Sequence, residues 1–339
     1  MNHIKFPILT TYRKRLADTI TPVSIYLQIR DRFANPILLE SSDYHGQENS
    51  YSFICFNPLA TFSFNGGKVQ EKLPIGEVLE YEVGEKKRLM DCLRAFGNKF
   101  DPTPDKFKFS TNGLFGYIQY DTLAYFEDIQ LQNTTPNETP MMQYSMYQNI
   151  IVVDHYKNEL HLFEHRVAGA DNPEYMDEIE TLLKNKNIPA YSFKKIGEEV
   201  SNYTDEEFLK ILNQGREHCF RGDVFQIVIS RRFTTDFKGD EFNVYRALRS
   251  VNPSPYLFYF DYGSFKVFGS SPEAQIVVKN QKATIFPIAG TFRRTGNDIE
   301  DAELAKKLFD DPKENSEHVM LVDLARNDLS RSSDKVKVD

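Results

Sequence analysis

The chain has 339 residues, of which 40% are hydrophobic and 27% charged, a composition typical of a folded globular protein and not of a disordered one. Its formal net charge of −8, with no long basic run, excludes the usual nucleic-acid-binding proteins. No segment approaches the ~20 consecutive apolar residues of a membrane-spanning helix, so we predict no membrane partner.

Short aromatic and β-branched runs dominate the first half of the chain. Such runs predict strands at 24–29, 51–56, 114–120, 149–153 and 160–163. A turn at 154–158 joins the last two strands. The segment 128–142 is rich in Asn, Thr, Pro and Gln, which predicts an exposed loop.

A polar segment at 184–201, which contains Pro189, is the predicted linker. It follows a predicted helix at 173–186. We therefore divide the chain into an N-terminal region, residues 1–190, and a second region, residues 191–339.

The second region begins with a helix start signal, because Thr204 and Glu207 form a capping box. An apolar run at 224–230 then predicts a buried strand. Short turns join the next predicted strands, which favours antiparallel pairing, at 256–260, 266–269 and 274–278.

From residue 297 the pattern becomes helical, with one predicted helix at 299–309. Asp311 can cap a second helix that begins at Pro312 and runs to about Leu329. Runs of strands followed by helices predict an α+β fold with layered, mostly antiparallel sheets flanked by helices.

Three features of the second region could carry chemistry. Glu314 and Glu317 share a helix face, and oxygen ligands without nearby His or Cys favour Mg²⁺; the alternative is a solvated surface pair. Glu273 could act as a general acid at a turn, or be an ordinary loop carboxylate. Gly290 and Thr291 offer backbone N–H groups and a hydroxyl to a carboxylate.

Other candidate sites find little support in the sequence. His161 and His165 are four apart on a predicted strand, which places them too far apart to share a metal ion. Cys55, Cys92 and Cys219 show no metal-binding spacing and are interpreted as reduced, mostly buried thiols. Nucleotide-binding and triad-hydrolase motifs are absent.

Several longer segments together resemble the chorismate-utilising enzyme family. The two most specific are Ile285–Thr291 and Asp311–Leu329, and others match in the right order at Leu38–Ser41, Tyr51–Phe53, Gly113–Asp121, Gly222–Phe233 and Ser271–Glu273. The resemblance spans the whole chain. It implies the α+β fold of that family and chorismate as substrate. The cytoplasmic location is expected from the reduced thiols and from an N-terminus without the apolar stretch of a secretory signal.

Two positions indicate the branch of the family. Where isochorismate and salicylate synthases carry a water-activating lysine, this chain has Gln226, which cannot act as a base. Where many aminodeoxychorismate synthases carry a nucleophilic lysine, it has Ala289. The chain thus resembles the large, aminating subunit of anthranilate synthase, with the first component of aminodeoxychorismate synthase as the alternative.

The resemblance also implies a feedback site for L-tryptophan. Two segments would form it, and its predicted residues are Leu39, Glu40, Ser41, Asn252, Pro255, Tyr256 and Leu257. Ser41 would bind the polar end of the effector, and residues 255–257 its indole ring. Ser50 stands where relatives often carry a basic residue.

For catalysis the resemblance implies Mg²⁺ held by Glu317 with Glu314 nearby, and substrate oxygens bound at Gly290 and Thr291. Ammonia would add to the ring while Glu273 assists departure of the hydroxyl, and pyruvate is then eliminated. Ammonia would come from glutamine through a separate amidotransferase subunit, component II.

Family members continue well past the last residue of this chain. The resemblance therefore implies a fold incomplete at the C-terminus, without the remaining metal carboxylates, a catalytic histidine and a substrate-binding arginine. We expect the chain to be an inactive fragment. The alternative to an enzyme is a non-catalytic piece that binds tryptophan or docks to a partner.

Overall fold

The computed structural model describes residues 5–41, 50–84, 89–104, 106–131, 139–185 and 187–338. The strands in this part of the chain are β1 (Phe6–Leu16), β2 (Ile37–Glu40), β3 (Tyr51–Asn65), β4 (Lys68–Lys72), β5 (Val78–Glu82), β6 (Phe100–Pro102), β7 (Leu114–Ile118), β8 (Met142–Asp154), β9 (Glu159–Val167), β10 (Phe193–Ser201), β11 (Phe233–Gly239), β12 (Tyr256–Asp261), β13 (Lys266–Ser271), β14 (Val277–Lys279) and β15 (Lys282–Thr284).

The α-helices in the same residues are α1 (Pro22–Ile29), α2 (Leu89–Gly97), α3 (Met176–Lys184), α4 (Asp205–Arg221), α5 (Phe242–Val251), α6 (Asp298–Asp310) and α7 (Pro312–Ser330). A 3₁₀ helix spans Tyr120–Tyr125. None of the helices in the described ranges is long and apolar enough to cross a membrane.

One large sheet organises the fold. Within the described residues it has eleven strands, and its main path runs β13-β12-β2-β3-β8-β9-β1-β6. Neighbours in it are antiparallel except β1 and β6, which confirms the predicted mostly antiparallel α+β fold. Because β12 pairs with β2, the sheet is continuous across the predicted division at residue 190.

The hydrophobic core lies on both faces of this sheet. On one face, α1, α3 and α5 cover a cluster that contains the fully buried Ile25, Tyr26 and Tyr245. A second cluster around Phe62, Phe64 and Phe96 lies under α2. By contrast, α6 and α7 have no buried residue.

The prediction of a strand at 24–29 is wrong, because these residues form α1. Thr21 caps the helix in a capping box with Ser24, and Pro22 begins it. Five consecutive residues, Ile25 to Ile29, are buried. A helix buried nearly all round has no polar face, so its sequence lacks the 3.6-residue period that identifies a surface helix.

The predicted buried strand at 224–230 is also wrong. These residues form no strand and are mostly exposed, with Phe225 91% and Val228 88% accessible. An apolar run becomes a strand only when a neighbouring strand accepts its hydrogen bonds, and the described part of the chain provides none here. Nearby, strand structure at 274–278 is limited to Val277–Lys279, and β10 occupies the C-terminal half of the predicted linker.

Predictions based on local capping are confirmed. Thr204 and Glu207 form both hydrogen bonds of the capping box at the start of α4. Asp311 accepts from two backbone N–H groups at the start of α7, directly before Pro312. The strands predicted at 51–56, 149–153, 160–163, 256–260 and 266–269 lie within β3, β8, β9, β12 and β13.

Smaller predictions have mixed outcomes. The strand predicted at 114–120 ends at Ile118, where a 3₁₀ helix soon follows. Of the predicted loop 128–142, residues 132–138 lie outside the described residues, and Met142 already begins β8. All three cysteines are free thiols, but Cys55 is buried whereas Cys219 is exposed, so the expectation of mostly buried thiols is only partly met.

Candidate functional site

A cavity of about 740 Å³ lies where β2 and β12 pair. The two strands are antiparallel, with Leu257 opposite Glu40 and Phe258 opposite Leu39. The volume falls within the ~300–1,000 Å³ of small-molecule sites. Register alone therefore brings together two segments that are far apart in sequence.

Six of the seven residues predicted for the effector line this cavity: Leu39, Glu40, Ser41, Pro255, Tyr256 and Leu257. Asn252 does not line it. That residue is the C-cap of α5, where its N–H donates to Leu248 and its carbonyl accepts from the Ser270 hydroxyl. The structure thus assigns Asn252 a role in ending the helix that precedes the cavity wall.

Glu40 is the charged residue among the described residues that line this cavity, and its side chain is 3% exposed. Its Oε2 accepts a hydrogen bond of 2.6 Å from Tyr245 Oη and lies 3.2 Å from Arg249 Nε. Burial raises the pKa of Glu40, while the contacts with Tyr245 and Arg249 partly offset that rise. The carboxylate is thus held in a fixed orientation from α5.

The aromatic wall of the cavity is not among the residues predicted to bind the effector. It is formed by Tyr51, Phe53, Tyr117, Phe258 and Phe260, with Gly116 and Ser50 beside them. Burial raises the pKa of the Tyr117 hydroxyl to about 12, and this hydroxyl donates to the Pro140 carbonyl.

One signal in the sequence could have located part of this wall. Gly116 lies inside a strand, where glycine often marks close backbone approach. A Cβ atom on it would lie 1.9 Å from the Gln143 carbonyl oxygen of β8. Only glycine fits this position of β7, next to Tyr117.

A second group of predicted residues meets near the start of α7. A Cβ atom on Gly290 would lie 2.6 Å from Glu314 Oε2, so the predicted loop and the predicted metal carboxylate are in contact. Gly290 has a φ of +67°, in the left-handed region that favours glycine. Glu314 donates its N–H to the capping Asp311, which fixes the first turn of the helix.

Glu317 follows Glu314 by one turn on α7, and both side chains are partly exposed. Lys313 Nζ lies 3.6 Å from Glu314 Oε1. Two carboxylates on one helix face are an oxygen-only donor set, which fits Mg²⁺ better than zinc.

Gln226 and Glu273 remain apart from this group. Both are exposed, and among the described residues no hydrogen bond or ion pair joins either of them to Gly290, Thr291 or Glu314. Glu273 donates its N–H to Ser271 Oγ at the turn after β13. The residues predicted for catalysis are therefore brought together less completely than the residues predicted for the effector.

Comparisons with known proteins agree with these features. The model of the chorismate binding enzyme family matches residues 35–339. Anthranilate synthase component 1 of Lactococcus lactis is 33% identical to this chain, in an alignment that covers 94% of this chain and 69% of the relative. The same component of Neisseria meningitidis serogroup B is 36% identical, and its alignment covers 94% of this chain and 66% of the relative. The chain spans about two thirds of the length of these curated relatives.

Solved structures support the same fold. Anthranilate synthase component I of Streptococcus pneumoniae superposes with a TM-score of 0.63 at 26% identity, covering 94% of this chain and 68% of that one. The menaquinone-specific isochorismate synthase of Escherichia coli superposes with a TM-score of 0.68, covering 99% of this chain and 67% of that one. Because its sequence identity is only 13%, it shows a shared fold and nothing more. The chain belongs to the family of chorismate-binding enzymes, and the relatives it resembles are first components of anthranilate synthase.

Proposed function

We propose that this chain serves as the first component of an anthranilate synthase, which converts chorismate and ammonia to anthranilate and pyruvate, and that L-tryptophan binds in the cavity between β2 and β12. One observation supports the proposal that L-tryptophan binds in this cavity. Two distant segments that were assigned to the effector from sequence line a single cavity of suitable size.

The chemistry of the cavity suits tryptophan. Its apolar and aromatic walls can bury an indole ring, with Pro255, Tyr256 and Leu257 in contact. Ser41 offers a hydroxyl to the polar end of the amino acid. Glu40, held by Tyr245 and Arg249, contributes a buried carboxyl group to the lining of the site.

Chorismate would bind beside α7. Backbone N–H groups and the hydroxyl at Gly290 and Thr291 bind its oxygens in this proposal, and Glu317 with Glu314 would hold Mg²⁺. The bound metal supplies positive charge for the ring carboxylate of the substrate.

The remaining roles concern proton and bond changes on the ring. Ammonia has a free lone pair and attacks without deprotonation, so Gln226 at the water-activating position of relatives is compatible with amination. Glu273 would protonate the departing C4 hydroxyl as general acid. Loss of pyruvate then makes the ring aromatic.

The proposal includes a partner and a location. Ammonia would be supplied by a glutamine amidotransferase subunit, component II, because anthranilate synthase relatives are named as one component of an assembly. The reaction would take place in the cytoplasm. Ala289 supports this branch over aminodeoxychorismate synthase, because alanine cannot form a covalent intermediate.

A second candidate is a non-catalytic protein that binds tryptophan. The observation in its favour is the exposure of Gln226 and Glu273, together with the lack of buried residues in α6 and α7. A catalytic carboxyl that faces bulk water works without the exclusion of solvent that strengthens electrostatic interactions in an active site. We therefore expect little turnover from the chain alone.

Calorimetry with L-tryptophan, beside a chorismate assay with ammonium and Mg²⁺, tests these proposals. We expect binding of one tryptophan, weakened by Ser41→Ala and unchanged by Ser250→Ala, an exposed serine on α5. Binding with turnover supports the enzyme, and binding without turnover supports the second candidate. Absence of binding, or equal affinity in both variants, contradicts the effector site.

A further inference from the structure

The tip of the β8–β9 hairpin gathers three metal-binding side chains outside both sites described above. Asp154, Glu159 and His161 each place a ligand atom within 4.8 Å of the other two. In the part of the chain that the structure describes, no other set of three His, Cys, Asp or Glu side chains lies close enough together to hold one ion.

The hairpin register explains the grouping. Asp154 is directly opposite Glu159 in the β8–β9 pair, and side chains of such a pair lie on one face of the sheet. His161 follows Glu159 by two residues, so it points to that same face.

His161 is oriented as a ligand. Its side chain is 6% exposed, and its Nδ1 lies 3.0 Å from the hydroxyl of Tyr12 on β1. Its Nε2 is buried without a hydrogen-bond partner and lies 3.5 Å from Glu159 Oε2. If Nδ1 donates to Tyr12, the lone pair of Nε2 points at a carboxylate oxygen, an arrangement that a cation between them would stabilise.

The neighbouring charges favour the ligand forms of these groups. Burial lowers the pKa of His161, which keeps the ring neutral. A hydrogen bond from Lys14 to Glu159 Oε1 lowers the pKa of that carboxyl and leaves Oε2 facing the histidine.

We propose that His161 Nε2, Glu159 and Asp154 bind a zinc ion at this end of the sheet. A tetrahedral zinc ion with bonds of ~2.1 Å separates its ligand atoms by ~3.4 Å, close to the 3.5 Å between His161 and Glu159. The Asp154 carboxylate oxygen lies within 4.8 Å of the other two ligand atoms, so it must move at most ~1.4 Å closer to reach the ~3.4 Å separation. Water completes the coordination. The imidazole ligand selects zinc over Mg²⁺.

Two other residues complete the site. With zinc on Nε2, the Tyr12 hydroxyl accepts a hydrogen bond from Nδ1–H and so fixes the ring, as outer-shell partners of ligating histidines do. Lys157 Nζ lies 3.9 Å from Asp154 Oδ2 and is half exposed, so it can leave that oxygen to the metal. The ion would join β8 to β9 at the hairpin tip, with Tyr12 of β1 supporting His161, a structural role independent of chorismate.

Zinc and cobalt titrations of the purified, chelator-treated chain test this site. We expect one Zn²⁺ per chain to raise the melting temperature, and Co²⁺ to produce visible absorption bands of a nitrogen- and oxygen-coordinated ion. His161→Gln should abolish both signals. Tyr12→Phe, which removes the outer-shell partner, should weaken Zn²⁺ binding ~10–100-fold. His218→Gln is the matched control, because His218 is exposed and pairs with Asp223 elsewhere.

Circular dichroism of each metal-free variant shows whether it folds. If His161→Gln does not fold, Glu159→Gln decides, because Glu159 is partly exposed and glutamine keeps its shape. Loss of the Zn²⁺ response in either folded variant, with the response retained in His218→Gln, supports the site. Equal Zn²⁺ and Co²⁺ responses in the folded variants and wild type, or no response in wild type, overturn it.

Discussion

Tyr245 on α5 donates a hydrogen bond of 2.6 Å to Glu40 at the end of β2, and both side chains are buried. This contact connects the helix of the second region to the strand that forms one wall of the cavity. Tyr245→Phe removes the donor and leaves a buried carboxylate with Arg249 alone.

We expect Tyr245→Phe to lower the free energy of unfolding by ~1–3 kcal/mol, because a buried acceptor loses its partner. Tryptophan affinity should fall as well, since Glu40 lines the cavity. Urea denaturation and calorimetry measure the two effects. Tyr120→Phe is the control, because Tyr120 is 79% exposed, and equal effects from the two variants would contradict the prediction.

Glu40 should also make stability depend on pH. Burial raises its folded pKa above the ordinary value of 4.5, so the folded state keeps a proton that the unfolded state releases. The free energy of unfolding therefore falls as pH rises from 4.5 towards the folded pKa. Glu40→Gln cannot titrate, so its stability relative to wild type should increase over this window and then level off. Parallel curves from denaturation at several pH values would exclude this contribution.

Gly116→Ala should disrupt the sheet at the cavity. The new Cβ would lie 1.9 Å from the Gln143 carbonyl, and backbone cannot yield as a flexible side chain does. We expect a loss of at least ~1–3 kcal/mol in unfolding free energy, typical of overpacking, and weaker tryptophan binding. Gly84→Ala has open space around its Cβ and should be nearly neutral. A neutral Gly116→Ala would refute the close approach.

The contact between Gly290 and Glu314 can be separated from backbone strain. Gly290→Ala and Gly296→Ala both place alanine at positive φ, +67° and +83°, so they share the conformational cost. Only at Gly290 does the new Cβ meet a carboxylate, at 2.6 Å, whereas Gly296 has no atom within 4 Å. Chorismate binding with Mg²⁺ should therefore be lost in Gly290→Ala alone. Equal binding by the two variants would remove Gly290 from the proposed site.

A buried ion pair joins the first helix to the second region. Both terminal nitrogens of Arg30 donate to Asp240, at 2.9 and 2.8 Å, and the side chains are 9% and 10% exposed. Asp240→Asn should lower the unfolding free energy by ~3–5 kcal/mol, because it leaves a buried guanidinium with only the more distant Asp31 carboxylate, 3.9 Å from Nε.

The control for this pair is Asp205→Asn, which breaks the contact of Arg231 with an 85% exposed carboxylate. Exposed pairs contribute ~0–1 kcal/mol, so a small change is expected there. Urea denaturation measures the unfolding free energy of both variants. Similar losses in the two would show that burial of the Arg30–Asp240 pair adds nothing to stability.

The sequence by itself determined the features that depend on neighbouring residues. Thr204 with Glu207, and Asp311 with Pro312, specify the starts of α4 and α7, because a capping side chain meets backbone N–H groups within one turn. The strands around Cys55 and Ile151 were also predictable from their aromatic and β-branched composition. The family resemblance extended the prediction to residues of the candidate sites.

Only the tertiary structure decided which distant residues meet. The pairing of β2 with β12 assembles the cavity, and the register of β8 with β9 places Asp154 opposite Glu159. Tertiary burial likewise made a helix of Ser24–Ile29, a run that resembles a strand in sequence. The residues that the structure describes provide no strand beside 224–230, so that run stays unpaired. Local sequence encodes caps and periods, whereas strand pairing and burial depend on the rest of the chain, which no local pattern contains.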